Sequence, residues 1–315
     1  MTQYIIRRLI HSIFIIWGCA TLVFFMLRLI PGDPVTLMLG QEYTPEAADA
    51  MRRKLGLDEP VLIQYVKWFG NVLTGDLGDS IASSETVMGA IKIGLPKTLS
   101  LAGLSFLIAV IIAVPAGVAA AVKRNSVVDY IASIIAFAGV SMPAFWFGIM
   151  LILVFAVRLQ WLPAIGYAPI GEDGVVEWLK HLILPSLAIG MGFAAILMRF
   201  VRSGLLEVLG SDYVRTARAK GVNERGVIVR HALRNALIPV ITIAGIQLAL
   251  LLSGAVVIET VFSIRGLGRI LVGAIFDKDY PIVQGVILLV TVIFVTANLV
   301  VDIVYTYLDP RIHYG

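Results

Sequence analysis

Residues 99–122 read LSLAGLSFLIAVIIAVPAGVAAAV, 24 positions with no charge and only two serines for polar side chains. At about 1.5 Å of rise per residue, a helix of that length crosses the roughly 30 Å hydrocarbon core of a bilayer. Outward from this segment, five more mainly apolar stretches qualify: residues 9–27, 131–157, 182–198, 236–261 and 282–301. The shortest, 182–198, is free of charge and bounded by Lys180 and Arg199. Of the 315 residues, 59% are apolar and 15% charged, against about half and a quarter in a soluble domain. A globule of this size has too little interior to hide that much apolar side chain, which excludes a soluble enzyme. The expected fold class is an all-α integral membrane protein with six transmembrane helices.

Other counts narrow the chemistry. The lone cysteine, Cys19, permits no intrachain disulfide and no multi-cysteine metal site. His11, His181, His231 and His313 lie far apart and form no metal-ligand motif. No catalytic, cofactor-binding or metal-binding residue is expected. The net charge of +4 fits lysine and arginine held in cytoplasmic loops better than nucleic-acid binding. With the N-terminus inside, 13 basic residues fall in inner segments, among them Arg7, Arg8, Lys123, Arg124, Arg199 and Arg202, and five in the short outer loops. Both termini are therefore expected in the cytoplasm. Residues 9–27 follow Arg7-Arg8 as a signal peptide would, but they are long for one and lack a small-residue cleavage site, so a retained helix is expected.

Pro115, Pro143, Pro185 and the Gly190/Gly192 pair lie inside expected spans, where neighbouring helices can re-satisfy freed backbone groups. Ala116-Gly117 and Ala119-Ala120-Ala121 suit close helix approach. The outer segment 28–98 is too long for a connector. In it Thr44 and Pro45 mark a helix start running to Leu55, with Gly56 as the stop. Residues 63–73 carry Tyr65, Trp68 and Phe69 and read either as an interfacial helix or as a docked cap. Residues 158–181 read as a turn region, and 270–276 as a short re-entrant or surface helix.

The cytoplasmic stretch 199–235, with eight basic and three acidic residues, is longer than a connector needs. Ser211-Asp212 can cap a short helix running through Lys220, and Gly221 would end it. Asn223 can cap a second helix leading to the fifth span. Tyr213 and Ala217, one turn apart, give the short helix a compact, weakly apolar face. Such a helix–glycine–helix elbow is either a solvated positive loop or a docking helix for a cytoplasmic partner.

Arg215-Thr216-Ala217-Arg218-Ala219-Lys220-Gly221, followed by His231-Ala232-Leu233-Arg234-Asn235-Ala236, resembles the coupling loop of type I ABC import permeases. The likeness is strongest to the B-type subunit of the dipeptide/oligopeptide/nickel branch. It extends along nearly the whole chain through Pro31-Gly32-Asp33-Pro34, Gly56-Leu57-Asp58, Gly75-Asp76-Leu77-Gly78, Glu259-Thr260-Val261-Phe262-Ser263, Asp279-Tyr280-Pro281 and Asp309-Pro310-Arg311. Two departures from the general loop, Arg215-Thr216-Ala217 for Glu-Ala-Ala and Leu233-Arg234 for Leu-Pro, are usual in that branch. Arg265 stands where the branch often has proline.

The resemblance implies a type I importer permease fold in the bacterial inner membrane. It implies residues 1–94 as a first helix with a structured outer segment, 95–308 as the permease core and 309–315 as a cytoplasmic tail. It assigns ATPase coupling to Asp212, Tyr213, Arg215, Thr216, Ala217, Arg218, Ala219, Lys220 and Gly221. The implied partners are a homologous C-type permease subunit, two cytoplasmic ABC ATPases carrying ATP and Mg, and an extracytoplasmic solute-binding protein. The chain itself has no phosphate-binding G-x-x-x-x-G-K-[ST] loop. Short peptides or a related solute (glutathione, a nickel chelate, an oligosaccharide) are the implied cargo. Inside the spans, Glu259, Gln247 and Ser253 are candidate pathway or binding-protein contacts, with interhelical hydrogen bonding the alternative. The competing class is a secondary transporter or channel working without ATPases, which would usually need a charged or broken-helix site near the midplane. An intramembrane enzyme lacks any paired catalytic constellation.

Overall fold

A computed structural model describes residues 2–29, 34–39, 44–54 and 56–308. Among the described residues there is no β-strand, only an isolated bridge between Asp79 and Thr86. Five helices are long and apolar enough to cross a membrane, and a bent pair brings the total to six. The chain divides into two compact units, one comprising Met1–Ile5, Leu99–Ile264 and Thr296–Gly315, the other Ile6–Thr98 and Arg265–Val295.

The second unit begins at Ile6 within α1 (Thr2–Leu29) and continues through α2 (Pro34–Leu39). Next is α3 (Pro45–Lys54), which opens as expected: the Ala47 amide donates to Thr44 Oγ1 at 3.2 Å. Gly56 takes the positive φ of 65° that favours glycine after a helix; Leu55, the expected last helical residue, lies outside the described residues, as do Pro31-Gly32-Asp33 and Asp309-Pro310-Arg311. Helix α4 (Val61–Leu73) docks on α1 rather than standing free. Trp17, Thr21, Phe24 and Arg28 recur on one face of α1. Trp17 Nε1 donates to Tyr65 Oη at 3.1 Å, Phe24 packs on Tyr65 and Trp68 with ring centroids 5.2 Å apart, and Arg28 reaches Gln64 Oε1 at 2.8 Å. Leu22 and Met26 on the far side of α1, and Ile13 and Phe14 in the turn before Trp17, are exposed, as on a lipid-facing helix.

Helix α5 (Val87–Val122) starts well before residue 99. The apolar run marked only the part that needs a bilayer, while the preceding polar turns stay helical. Helix α6 (Val127–Ser141) and α7 (Ala144–Leu151, continued by a π-helical turn, Ile152–Arg158) break the continuous helix expected over 131–157 into two arms. They meet at 104°. Pro143 has no amide to donate, and Met142 before it is extended (φ −82°, ψ 127°), so the helix ends there instead of kinking.

Helix α8 (Ile170–Leu209) also outruns its apolar segment and absorbs half of the expected turn region 158–181, with a break at Gly174 (φ 81°). In the first unit α8 is the central element, flanked by α6, α7 and the later α11 (Leu233–Val261). Leu182, Leu184, Ala188, Ala194, Leu197 and Val201 of α8 are buried. Small residues set the spacing: a Cβ on Gly117 would lie 2.7 Å from Val201 Cβ, and one on Gly190 would lie 2.8 Å from the Ser105 carbonyl oxygen. Between α8 and α11 lie α9 (Asp212–Ala219), α10 (Glu224–Gly226) and a π-helical segment, Val227–Ala232. The chain then forms α12 (Leu267–Phe276), the expected short apolar helix, and α13 (Tyr280–Leu308).

Candidate functional site

The elbow between α8 and α11 is built from local chain chemistry. Helix α9 ends at Ala219 with Lys220 as its C-cap, and Gly221 follows with φ 82°. The Gly221 amide donates to the Arg218 carbonyl at 2.9 Å and the Val222 amide to the Ala217 carbonyl at 3.3 Å. This pair of bonds is the Schellman closure, which satisfies orphan carbonyls and reverses the chain. Asn223 then caps the next helix, its Oδ1 accepting from the Gly226 amide at 2.7 Å, as expected. Ser211 does not cap α9 with its side chain. Its hydroxyl donates back to the Val208 carbonyl at 2.6 Å, and the start of α9 is held by the Ser211 carbonyl accepting from the Arg215 amide.

One face of α9 is anchored and the other is open. Val214 and Ala217 are buried with Val227, against Val208 and Leu209. The inward face is therefore Val214/Ala217, a correction to Tyr213/Ala217. Tyr213 is exposed and bridges to the start of α11: its hydroxyl accepts from Asn235 Nδ2 at 2.8 Å and donates to the His231 carbonyl at 3.4 Å. Across the glycine turn, Arg218 holds Glu224 in a bidentate pair, Nε–Oε2 3.1 Å and Nη2–Oε1 2.7 Å. Glu224 raises the Arg218 pKa further, so that guanidinium stays charged. Asp212, Arg215, Thr216, Ala219 and Lys220 face outward, with Arg215 3.5 Å from Asp212. The result is a short helix, clamped to α8 and α11 from beneath, with a predominantly basic free surface.

The structure gathers the nine elbow residues into this single motif and leaves the other candidates elsewhere. Glu259 is fully buried in α11, away from any outer surface of the chain. Gln247 is 4% exposed, and neither amide atom has a hydrogen-bond partner. Twelve residues of helix, about 18 Å, separate Gln247 from Glu259, so the two do not form one site. Ser253 lies on α11, its side chain outside the described residues.

Two further polar clusters carry the architecture. Asp129, at the start of α6 and 3% exposed, takes Arg202 of α8 in a bidentate pair (2.6 and 2.8 Å) and accepts from the Asn125 amide. Arg202 reads in the sequence only as one more inner basic residue. Asp279, buried ahead of α13, accepts from the Ser80 hydroxyl and from the Ile81 amide at 3.2 Å, tying down the segment before α5. Neither partner has a local signal, because 73 and 199 residues separate them.

The chain matches the family described as binding-protein-dependent transport system inner membrane component over residues 113–314, and that family's N-terminal companion over residues 1–102. It is 43% identical over 333 aligned residues to the dipeptide transport system permease protein DppB of Alkalihalophilus pseudofirmus, covering 100% of both chains. To the oligopeptide transport system permease protein AppB of Bacillus subtilis it is 41% identical over 316 residues, again 100% of both. Among solved structures, the MetNI methionine ABC transporter in an inward-facing form shares the fold, with a TM-score of 0.57 at 19% identity over 70% of this chain and 97% of the other.

Proposed function

Because the chain belongs to the family of binding-protein-dependent transport system inner membrane components, we propose that it is one permease subunit of an ATP-driven importer of short peptides. It is a multi-pass protein of the bacterial inner membrane. Its family consists of transport components that work with ATPase and further permease subunits. On this reading, the chain and a homologous C-type subunit form the two halves of the pathway. Two cytoplasmic ABC ATPases hold ATP and Mg, an extracytoplasmic binding protein delivers the peptide, and this chain catalyses no reaction. Both termini and the elbow lie in the cytoplasm, in keeping with the lysine and arginine distribution.

The observation that carries this reading is the elbow. A docking helix transmits motion only if it is fixed to what it moves. Val214 and Ala217 pack α9 onto the end of α8, Tyr213 ties it to the start of α11, and the Arg218–Glu224 pair braces the turn. Displacement of α9 by an ATPase dimer is thereby passed to two spanning helices at once. The open basic face, with Arg215 and Lys220, is what the ATPase would meet. Nucleotide can drive the switch between inward- and outward-facing states only through unequal binding to the two.

The test is uptake of a labelled dipeptide or tripeptide into vesicles containing the purified complex. Uptake that requires ATP, the binding protein and both permease subunits supports the reading. Accumulation by this chain alone, driven by an ion gradient, would establish a secondary transporter in its place.

A further inference from the structure

Within the unit of Ile6–Thr98 and Arg265–Val295, a cavity of about 690 Å³ opens between α1, α4 and the start of α13, inside the size range of small-molecule sites. Phe24, Arg28, Trp68, Tyr280 and Gln284 help line it. Two of these carry polar capacity that the fold leaves unused. Arg28 is half-buried, and among the described residues its guanidinium donates to neutral oxygens: the Gln64 amide at 2.8 and 3.3 Å and the Phe24 carbonyl at 3.0 Å. Its charge lies 3.4 Å above the Phe24 ring, and among the described residues no carboxylate pairs with it. Gln284 is 5% exposed, and its Nε2 has no hydrogen-bond partner. Native proteins rarely leave such a donor unmatched, and a half-desolvated cation without a counter-charge is costly.

The same wall carries the opposite charge. Asp76 and Asp79 line the cavity and form no ion pair among the described residues. Lys67 and Glu59, also on the wall, neutralise one another at 2.6 Å. The residual pattern in the lining is two cations, Arg28 and Arg53, the Gln284 amide donor and two carboxylates. A headgroup whose only charge is phosphate, such as phosphatidylglycerol, would use only the cations and the amide. A zwitterion uses the carboxylates as well.

We propose that this cavity is a holding site for a short peptide on the permease itself, with the peptide carboxylate bound by Arg28 and Gln284 and its ammonium matched to Asp76 and Asp79. The ligand class rests on the peptide-import reading above; the site is separate from the elbow and needs no nucleotide.

The experiment uses the complete permease–ATPase complex in nanodiscs, without binding protein, and titrates trialanine, its C-terminal amide and its N-acetyl form. Trialanine binds, and amidation weakens binding about tenfold or more, the effect of losing a hydrogen bond to a charged group. Arg28→Gln erases the difference between acid and amide, whereas Arg28→Lys preserves its direction. Gln284→Met, which keeps the side-chain length, weakens trialanine without touching α1 and stands in if Arg28→Gln does not fold. Equal affinity for acid and amide, or trialanine binding unchanged by both Arg28→Gln and Gln284→Met, overturns the proposal. So does binding of inorganic phosphate, dihexanoyl phosphatidylglycerol or dihexanoyl phosphatidylethanolamine with no trialanine binding. The same preparation, given binding protein and Mg-ATP, keeps the two readings apart. Peptide uptake without cavity binding removes the holding site alone, while loss of all ATP-driven peptide uptake removes the import reading.

Discussion

Replacing Gly221 by valine is the sharpest perturbation of the elbow. Gly221 sits at φ 82°, and a Cβ built there meets nothing within 4 Å. Any cost is therefore conformational and owes nothing to a clash. A left-handed L-residue costs about 1–2 kcal/mol, and a β-branched one lies at the unfavourable end. At about 1.4 kcal/mol per tenfold, the Schellman turn loses roughly 5- to 30-fold of its population advantage. The bonds at stake are Gly221 N to Arg218 O and Val222 N to Ala217 O. In proteoliposomes, peptide uptake by Gly221→Val should fall several-fold while ATP hydrolysis persists, since the ATPase sites are untouched. Gly221→Asn is the control, because asparagine tolerates the left-handed region, and it should recover much of the loss. Uptake unchanged in Gly221→Val would refute the claim that this turn transmits the stroke. An asparagine variant as impaired as valine would show that backbone strain is the wrong cause.

Three other outcomes follow from the same geometry. Glu224→Arg should reduce uptake by repelling Arg218, most at low ionic strength, and the charge swap with Arg218→Glu should restore it; loss of the single effect in high salt checks that it is electrostatic. Gly117→Leu should lower thermal stability by about 1–3 kcal/mol through overpacking against Val201, whereas Gly103→Ala, with open space around its Cβ, should leave the melting temperature unchanged. Asp129→Asn should lower the melting temperature of the detergent-solubilised complex, because it removes the charge from the bidentate pair joining α6 to α8, and an Arg202→Lys variant should be intermediate.

What the sequence makes legible is whatever depends on nearby residues. The Thr44 and Asn223 caps, the Gly56 and Gly221 stops and the short α12 all follow from local backbone chemistry, and the structure contains each. Bilayer-length apolar runs likewise mark the spans. They do not mark helix ends, since α5 and α8 continue through polar turns that neither need nor avoid lipid. Pro143 is legible as a disturbance, but the 104° bend depends on Met142 being forced extended beside it. The inward face of α9 is not legible, because Val214 and Tyr213 are adjacent. The choice between them is made by Val208, Leu209 and Val227, which only the folded chain brings near. Asp129–Arg202 and Asp279–Ser80 have no sequence signature at all, and Arg28 with Gln284 shares a cavity only once α1 and α13 are in place.

The elbow as a handle worked by a cytoplasmic ATPase is tested most directly by crosslinking. Thr216 faces outward from α9, and Cys19 is the chain's one native cysteine. A chain carrying Cys19→Ser and Thr216→Cys, assembled with ATPases that bear single cysteines along their surface, should form a disulfide with a defined ATPase position, in a yield that changes when ATP is bound. Labelling of the introduced thiol by a membrane-impermeant reagent from the extracytoplasmic side, or failure to crosslink to any ATPase position in either nucleotide state, would contradict it.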